Sequence, residues 1–365
     1  MSTDCMISNP KDIKEIFDKS FSQGIVALDT EFVWNSSYYP RLGIVQISLS
    51  SDESFLLDSP NIEDYKWMAE LISSEEIVKV FHDPLQDLML LKLVTGAFPK
   101  NIYDTRLGAG FSGNSATISL QNLVLSTFAI DMPKTESRTD WLKRPLTEKQ
   151  IEYAIDDVKY LPDIYAIQKD MAEKQSTWEW LSEDLSIYNQ PYLYEDAIPE
   201  KAYLKVKGHG TLSSFELALL REFAAKREID ARQRDLPKGW VCSDSQLLEI
   251  VSHYLGSEEI IRISKGKWNN EQDQKEISRL ADKVKTNMEE FPQPFEPHPK
   301  EKEITRIIKK MREVIKAKSN DMFIDPQVVA NRKDLRNFII GQGSSKLNSG
   351  WRKQHIAIDL EEFIL

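Results

Sequence analysis

The sequence is poor in the residues that build disulfides and zinc sites. Its 365 residues include two cysteines, Cys5 and Cys242, with no CxxC pair, and five scattered histidines. These counts exclude a disulfide framework and disfavour a zinc site. Any bound metal should therefore be held by oxygen ligands.

The sequence also lacks the features of exported and membrane proteins. No run approaches the roughly 18 apolar residues that a membrane span requires. The N-terminal segment MSTDCMISNP has neither the basic start nor the apolar stretch of a signal peptide. We therefore expect a cytoplasmic protein with no membrane partner.

Positive charge is scarce in the first half of the chain. Residues 1–200 contain 17 Lys and Arg against 33 Asp and Glu, whereas residues 201–365 contain 30 against 25. This split fits carboxylates that serve metals in one part and cations that grip phosphates in another. It fits an ordinary solvated surface equally well.

The first half alternates strand and helix patterns. Strand runs lie at 24–32, 42–49, 54–58 and 77–83, and helical patterns lie at 10–20, 63–73, 84–95 and 118–128. The first three strands are too close together for helical crossovers. The pattern predicts an α/β domain whose mixed sheet has an antiparallel meander at one side and helices on its faces.

After about residue 190 the strand runs stop and long charged helical patterns follow. A linker-like segment precedes the first helical block, and the proline-rich stretch 291–300 precedes the second. At roughly 150 residues per domain the length suggests two or three domains. We predict three, at residues 1–190, 208–292 and 298–365.

Two acidic residues end the first long strand run. In ALDTEF, Asp29 and Glu31 are two positions apart, so on a strand both side chains leave the same face. Carboxylates that share a face after an apolar run are costly unless a cation neutralises them. The alternative is that the strand has ended and both are solvated.

A third carboxylate lies in HDPLQDL. Here Asp83 is predicted as the N-cap of a helix and Pro84 as its first residue, which places Asp87 in the first turns. The helix dipole favours an anion there, so Asp87 has a structural explanation as well as a functional one. His82 is a candidate base or ligand, or a structural residue at a strand end.

The segment EYAIDDVKYL lies on the best-defined helix of the first half. Thr147 and Gln150 form a capping box, so this helix should begin near residue 148. On a helical wheel Asp157 borders the apolar arc and has Tyr153 beside it, whereas Asp156 points away. We predict that Asp157 meets the sheet and that Asp156 faces water.

Together Asp29, Glu31, Asp87 and Asp157 form an oxygen-rich site suited to Mg²⁺ or Mn²⁺. Such a site can hold two ions and clamp the attacking and leaving oxygens of a phosphodiester displacement. The phenol of Tyr153, with an ordinary pKa near 10, is a poor base. Its predicted task is to orient a water molecule.

A basic loop precedes this helix. In SRTDWLKRP, Arg138, Lys143 and Arg144 surround Trp141, a combination suited to single-stranded RNA. The alternative is that Trp141 packs the loop and the charges are solvated. The basic run REFAAKREIDARQRD fits phosphate contact or a salt-bridged helix.

Three motifs resemble a known enzyme superfamily. DTEF, HDPLQDL and YAIDDVKYL resemble, in order, the exonuclease motifs of the DEDD superfamily of 3′-5′ exonucleases, the third in the Tyr-x3-Asp form. YYPRLGIVQIS and ESRTDWLKRPLTEKQIEYAIDDVKYL resemble the ribonuclease D family. REFAAKREIDARQRDLPKGWVCSDSQLLEI resembles the HRDC domain that this family shares with RecQ-type helicases. The resemblance covers essentially the whole chain and is weakest in the last block.

The resemblance implies a ribonuclease-H-like exonuclease domain followed by two all-α HRDC-like domains. It assigns the metal carboxylates to Asp29, Glu31, Asp87 and Asp157 and the water-orienting tyrosine to Tyr153. It implies hydrolytic release of 5′-mononucleotides from RNA with a free 3′ end, tRNA precursors above all, without an obligatory protein partner. A DNA exonuclease and a non-catalytic RNA-binding scaffold remain as alternatives.

Overall fold

The computed structural model describes residues 6–132, 139–256, 268, 270–286 and 291–365. The chain forms two compact units. The first contains Met1–Val33, Leu42–Tyr194 and Lys300–Leu365, and the second contains Trp34–Arg41 and Glu195–Pro299. The final helical block thus lies in the same unit as the α/β part. The boundaries at 1–190, 208–292 and 298–365 stay a prediction.

A mixed six-stranded sheet lies at the centre of the first unit. Its strands are β1 (Met6–Ile7), β2 (Ile25–Val33), β3 (Arg41–Ser50), β4 (Glu53–Asp58), β5 (Val78–Phe81) and β6 (Ile102–Asp104), in the order β1-β4-β3-β2-β5-β6. β3 and β4 are antiparallel, and β5 runs parallel to both β2 and β6. This arrangement confirms the predicted α/β fold with a mixed sheet. The two unpredicted strands, β1 and β6, are only two and three residues long.

Helices make up most of the remaining described structure. They are α1 (Pro10–Gln23), α2 (Lys66–Ser73), α3 (Leu85–Thr95), α4 (Thr105–Gly110), α5 (Leu120–Phe128), α6 (Glu148–Lys159), α7 (Leu161–Lys174), α8 (Trp178–Leu185), α9 (Ser214–Gln233), α10 (Lys238–Val241), α11 (Asp244–Gly256), α12 (Glu271–Thr286), α13 (Glu301–Asp321), α14 (Pro326–Val329), α15 (Arg332–Ile340) and α16 (Gly350–His355). Among the described residues after 194 there is no strand, as predicted. No helix in the described part of the chain is long and apolar enough to cross a membrane.

The start of α6 follows its sequence signal. The Thr147 side chain accepts from the backbone N–H of Gln150, and the Gln150 side chain accepts from that of Thr147. This reciprocal capping box confirms the predicted helix start. Pro162 lies in the first turn of α7, so the helical path breaks between Lys159 and Leu161.

The two faces of the sheet have separate cores. On one face Val26 and Leu28 of β2 pack with Val45 and Ile47 of β3 and with residues of α1, α2 and α3. Side chains alternate along a strand, so Ala27, which belongs to another cluster, leaves the opposite face. Asp29 and Glu31 lie two and four residues beyond Ala27 and therefore share its face, on which α6 packs.

The core on the Ala27 side extends into the last 66 residues. Ile308, Met311 and Ile315 of α13 belong to the same buried cluster as Ala27 and Phe111. Trp351 of α16 stacks on Trp180 with ring centroids 5.1 Å apart and meets Phe111 edge to face. The final helices are thus part of the first unit's hydrophobic core.

Candidate active site

The C-terminal half of β2 places two carboxylates at the sheet edge. Asp29 and Glu31 are partly buried, follow three fully buried residues, and face α6. Between them Thr30 points to the other face and is 5% exposed. β2 therefore presents functional groups on both sides of the sheet.

Asp87 enters from α3, on the opposite face of the sheet. Its residue is 7% exposed, and its Oδ1 accepts a hydrogen bond of 2.5 Å from the Thr30 hydroxyl. The Asp87 carboxyl is also hydrogen bonded to that of Asp29. Thr30 thus holds a carboxylate that lies 57 residues later in the sequence against the end of β2.

The predicted cap of α3 is wrong. α3 begins at Leu85 with Pro84 in the N-cap position and without a side-chain cap, whereas Asp83 has a left-handed backbone with φ of 59°. A residue before proline is disfavoured in the right-handed helical region, and aspartate tolerates the left-handed one. The Asp83 side chain instead forms an ion pair with Arg106.

Asp157 and Tyr153 reach the same region from α6. Asp157 is buried, and the Tyr153 hydroxyl donates a hydrogen bond to its carboxylate. The Tyr153 ring lies against Trp141, with centroids 6.1 Å apart and planes inclined at 33°. One helical turn therefore supplies a carboxylate and a phenol that are already hydrogen bonded to each other.

Burial raises the pKa values of all four carboxylates and is the largest cause in every case. Neighbouring negative charges raise those of Asp29, Glu31 and Asp157 further, whereas hydrogen bonds from Thr30 oppose the rise at Asp87. The pKa of Asp87 rises to about 6, that of Asp157 to about 7 and that of Glu31 to about 9, and the pKa of Asp29 rises well above its usual range. These side chains form one electrostatically coupled site.

The donor set fits hard divalent cations. All four side chains offer oxygen, and among the described residues no Lys, Arg or His forms an ion pair with any of them. Within those residues no group of three or more His, Cys, Asp or Glu side chains is already positioned to hold a metal ion, so the match lies in the chemistry of the donors. Buried, unpaired and mutually repelling carboxylates are stabilised by a cation, which would return their pKa values toward the ordinary range.

Comparisons with known proteins agree with this geometry. Residues 5–173 match the 3′-5′ exonuclease family model. Ribonuclease D of Desulfotalea psychrophila is 34% identical over 98% of this chain and 97% of its own length. Ribonuclease D of Pseudomonas paraeruginosa is 30% identical over 92% and 90%. The chain belongs to the ribonuclease D family.

A solved structure extends the ribonuclease D likeness to the whole fold. The crystal structure of Escherichia coli RNase D, an exoribonuclease involved in structured RNA processing, superposes with a TM-score of 0.84 at 27% identity. The match covers 98% of this chain and 97% of that one. This chain is thus a ribonuclease D-like 3′-5′ exonuclease from its first strand to its last helices.

Asp156 of this ribonuclease D family member does not face water as predicted. It is 9% exposed, and its carboxylate pairs with Lys159 Nζ at 2.5 Å. The helical wheel locates Asp156 away from the apolar arc but does not reveal which groups cover that side. Asp157 and not Asp156 interacts with Tyr153 and Asp87, and the division of roles between the two aspartates stays a prediction.

His82 has a structural place beside the site. One ring nitrogen is hydrogen bonded to the Thr105 hydroxyl at 2.9 Å and the other to the Ile118 carbonyl at 3.1 Å. Burial lowers the pKa of His82. Both nitrogens are occupied within the fold, which favours the structural alternative over a catalytic base.

The basic loop does not present the predicted RNA contacts as a group. Of the two alternatives for Trp141 the structure favours packing of the loop over stacking on a base, because the residue is 1% exposed and its ring lies against Tyr153. Arg144 pairs with Asp58 at 2.5 Å and donates to the carbonyls of Trp141 and Gly43. Lys143 is exposed and remains a predicted contact, and Arg138 lies outside the described residues.

Sequence reasoning missed Thr30. The period-two pattern of a strand assigns Thr30 to the face opposite Asp29 and Glu31, where it would ordinarily be a packing residue. Its role as a hydrogen-bond donor to Asp87 depends on the approach of α3 from that face. The only available signal was a hydroxyl residue placed between two acids at a strand end.

Proposed function

We propose that this ribonuclease D family member is a divalent-metal-dependent exoribonuclease that releases 5′-mononucleotides from RNA 3′ ends. The observation that carries the proposal is the convergence of Asp29, Glu31, Asp87 and Asp157, whose pKa values are all raised by burial, with the charges of neighbours adding to the rise at Asp29, Glu31 and Asp157. A folded protein tolerates such a cluster poorly unless cations complete it.

In this proposal the four carboxylates hold two Mg²⁺ or Mn²⁺ ions. When bound, the ions supply a Lewis acid for the scissile phosphate and lower the pKa of the attacking water. Asp29 and Glu31 approach from the rigid strand β2, whereas Asp87 and Asp157 approach from helices on opposite faces of the sheet. Thr30 fixes Asp87 in place through its hydrogen bond.

Tyr153 serves as a hydrogen-bond donor and not as a base. Burial and the neighbouring charges of Asp157 and Glu31 raise the pKa of its phenol above the ordinary value. The hydroxyl therefore keeps its proton throughout the physiological pH range. It orients an acceptor oxygen, either of the Asp157 carboxylate or of the nucleophilic water.

RNA is the proposed substrate, and tRNA precursors are its proposed natural form. Support comes from the ribonuclease D relatives and from the Escherichia coli enzyme, which is described as acting in structured RNA processing. A metal site of this kind does not read the sugar, so DNA is the competing substrate. A non-catalytic scaffold is the second alternative, and the complete carboxylate set argues against it.

The test uses 5′-labelled RNA and DNA with identical 3′ tails, incubated with Mg²⁺, with Mn²⁺ or with EDTA. We expect stepwise 3′ shortening of RNA that EDTA abolishes. Asp29→Asn should reduce the rate by about 100-fold or more, because it removes a charge that no neighbour can replace. Asp12→Asn, an exposed change on α1, is the matched control and should leave the rate unchanged.

Three outcomes would contradict the proposal. Internal cleavage would exclude an exonuclease, and full activity in EDTA would exclude metal dependence. Preferential shortening of DNA would favour the competing substrate. Full activity of Asp29→Asn would remove the carboxylate cluster from the mechanism.

A further inference from the structure

The exposed side of α13 carries a stripe of cations. At 100° per residue, Lys302, Arg306, Lys309 and Lys316 lie within about 45° of one line along the helix, together with one acid, Glu313. The buried residues of α13 are on the opposite side, where they enter the core of the first unit. At 1.5 Å per residue this basic stripe is about 21 Å long.

The cations of the basic stripe have no partners within the described residues. None of the four, nor the flanking Lys310 and Arg312, takes part in a described ion pair or side-chain hydrogen bond. α13 as a whole carries seven basic and four acidic residues in a chain of net charge −11. Helix α13 is therefore net positive in a protein that is net negative.

On α9 and α12, the basic residues that correspond in number to those of the stripe are engaged in ion pairs. In and just after α9, Lys226, Arg227, Arg232 and Arg234 all form ion pairs. The basic run at α9 thus fits the salt-bridged alternative rather than phosphate contact. On α12 the cations Lys275, Arg279, Lys283 and Lys285 are paired as well.

The side of α13 opposite the stripe is packed in the hydrophobic core. Ile304, Ile308, Met311 and Ile315 are at most 4% exposed and fix the opposite side of α13 in the core. Arg332, at the start of α15, reaches the Thr305 hydroxyl at 3.5 Å and so adds a guanidinium beside the stripe. The helix that carries the cations is thus held in place, so binding a row of anions does not require its backbone to become ordered as well.

We propose that the basic stripe of α13 binds the sugar–phosphate backbone of the RNA substrate at a distance from its 3′ end. This inference rests on the proposed function, which makes a polyanion the substrate. The exposed positions of α13 include no aromatic or large aliphatic residue, so the surface lacks the anchors of a protein interface. Cations alone suffice for phosphate contact, which positions RNA without reading its sequence.

The proposed role of the stripe can be tested by measuring RNA binding under conditions that prevent cleavage. A triple variant with Arg306→Gln, Lys309→Gln and Lys316→Gln is compared with the wild type on an RNA hairpin with a 3′ tail, in EDTA, across a series of KCl concentrations. We expect affinity at 0.1 M salt to fall by about tenfold or more. The slope of log K against log salt should become shallower by about 2–3, since each lost phosphate contact removes about 0.7–0.9.

A second triple variant controls for net charge. Lys11→Gln, Lys66→Gln and Lys174→Gln remove three exposed cations elsewhere in the first unit and should leave affinity and slope close to wild type. Cleavage of a labelled RNA tetranucleotide in Mg²⁺ by the wild type measures the active site directly, and the control variant should match it.

The outcomes separate the two proposals. The inference is overturned if the α13 variant binds the hairpin with wild-type affinity and slope. It is also overturned if the control variant loses as much affinity as the α13 variant, because the stripe is then an ordinary solvated surface. If the wild type fails to shorten the tetranucleotide in Mg²⁺ or Mn²⁺, the proposed function fails, whatever the hairpin measurements show.

Discussion

Asp156 and Asp157 are neighbours in sequence with different partners. Asp157 has a pKa of about 7, raised by burial despite the hydrogen bond from Tyr153. The negative charge of Asp156 contributes to that rise. Asp156 itself forms an ion pair with Lys159. The Nζ atom of Lys159 also lies 4.8 Å from the centroid of the Tyr160 ring. One acid therefore belongs to the candidate site and the other to a local ion pair.

The two aspartates should respond differently to the same substitution. Asp157→Asn is expected to lower the RNA-shortening rate by about 100-fold or more without loss of stability, because it removes a repelled carboxylate. Asp156→Asn should keep the rate within about threefold and lower the free energy of unfolding by about 1 kcal/mol, since Lys159 loses its ion pair. Initial rates and urea unfolding measure both quantities, and equal loss of activity in the two variants would contradict this assignment.

The charge of Asp156 also predicts the direction in which the pH dependence of the RNA-shortening rate should change when Asp156 is substituted. Removal of that charge in Asp156→Asn should lower the pKa of Asp157, because a nearby negative charge opposes ionisation. The acid limb of the pH–rate profile should therefore move to lower pH by a few tenths of a unit. Rates between pH 5 and 8 give the shift. A limb that moves to higher pH would exclude an electrostatic influence of Asp156 on the site.

Sequence alone locates the four carboxylates and Tyr153 because motif spacing and strand or helix periodicity are local properties. It misplaces Asp156 and leaves Trp141 undecided between packing and base stacking, because the burial of both residues depends on which distant segments cover them. The cover of Trp141 includes β3, about a hundred residues earlier, where Gly43 lies against its backbone. No short stretch of sequence around Trp141 shows that β3 covers it.

At the scale of elements, β3 and the loop before α6 brace Tyr153. A Cβ atom on Gly43 would lie 2.6 Å from the Trp141 carbonyl oxygen. Arg144 stabilises the contact between Gly43 and Trp141, because its guanidinium donates hydrogen bonds to both backbone carbonyls, at 2.8 Å to Trp141 and 2.9 Å to Gly43. Because Trp141 packs on Tyr153, the position of the phenol depends on a close approach that only glycine allows.

Gly43→Ala tests this brace. The added methyl group must displace the Trp141 backbone, so we expect the free energy of unfolding to fall by about 1–3 kcal/mol and the shortening rate to fall through the displaced Tyr153. Gly210→Ala is the matched control, since a Cβ there meets nothing within 4 Å. Urea unfolding and initial rates are measured for both. Wild-type behaviour of Gly43→Ala would mean that the loop moves freely and does not position the phenol.

β5 contains a buried lysine. Lys79 is fully buried and donates to the Ser74 carbonyl. Burial lowers its pKa to about 7, against the opposing influence of Glu75. In the unfolded chain the lysine keeps its proton to about pH 10.4. Between about pH 7 and 10.4 the unfolded chain thus binds more protons, so this lysine makes stability rise with pH in that range.

Lys79→Met should stabilise the protein most at low pH. At pH 6 the wild type carries the full cost of a buried charge, on the order of 2–4 kcal/mol, and the variant does not. The stabilising effect should shrink as pH rises from 7 to 10. Thermal unfolding of both proteins at pH 6, 8 and 10 measures it. A difference in melting temperature that is constant with pH would show that Lys79 does not titrate in this range.

At the scale of the whole molecule, the last helices complete the catalytic unit. Arg352 of α16 pairs with Asp184 of α8 at 2.5 Å, and both side chains are less than 10% exposed. The same guanidinium donates to the carbonyl of Val329 at 2.8 Å. With the shared hydrophobic cluster, this buried ion pair links residues 300–365 to the α/β part.

Asp184→Asn should destabilise the first unit as a whole. The change leaves a buried guanidinium without its counter-charge, and we expect a loss of about 3–5 kcal/mol. Asp170→Asn, which removes an exposed pair with Lys174, should cost under about 1 kcal/mol. Calorimetry with hydrogen exchange should show α13–α16 and the sheet unfolding in one transition. Separate, earlier melting of α13–α16 would contradict a common core.

The order of residues along the chain has a consequence for biosynthesis. Ala27 shares its core with Leu360, and the Tyr38 hydroxyl donates to Glu228, 190 residues later. At 5–20 residues per second, a ribosome needs roughly 10–50 s between the end of β2 and the start of α13. Throughout that interval the nascent sheet lacks part of its apolar cover and is a client for chaperones. A polypeptide truncated before α13 should therefore be a substrate for proteolysis and not a smaller enzyme.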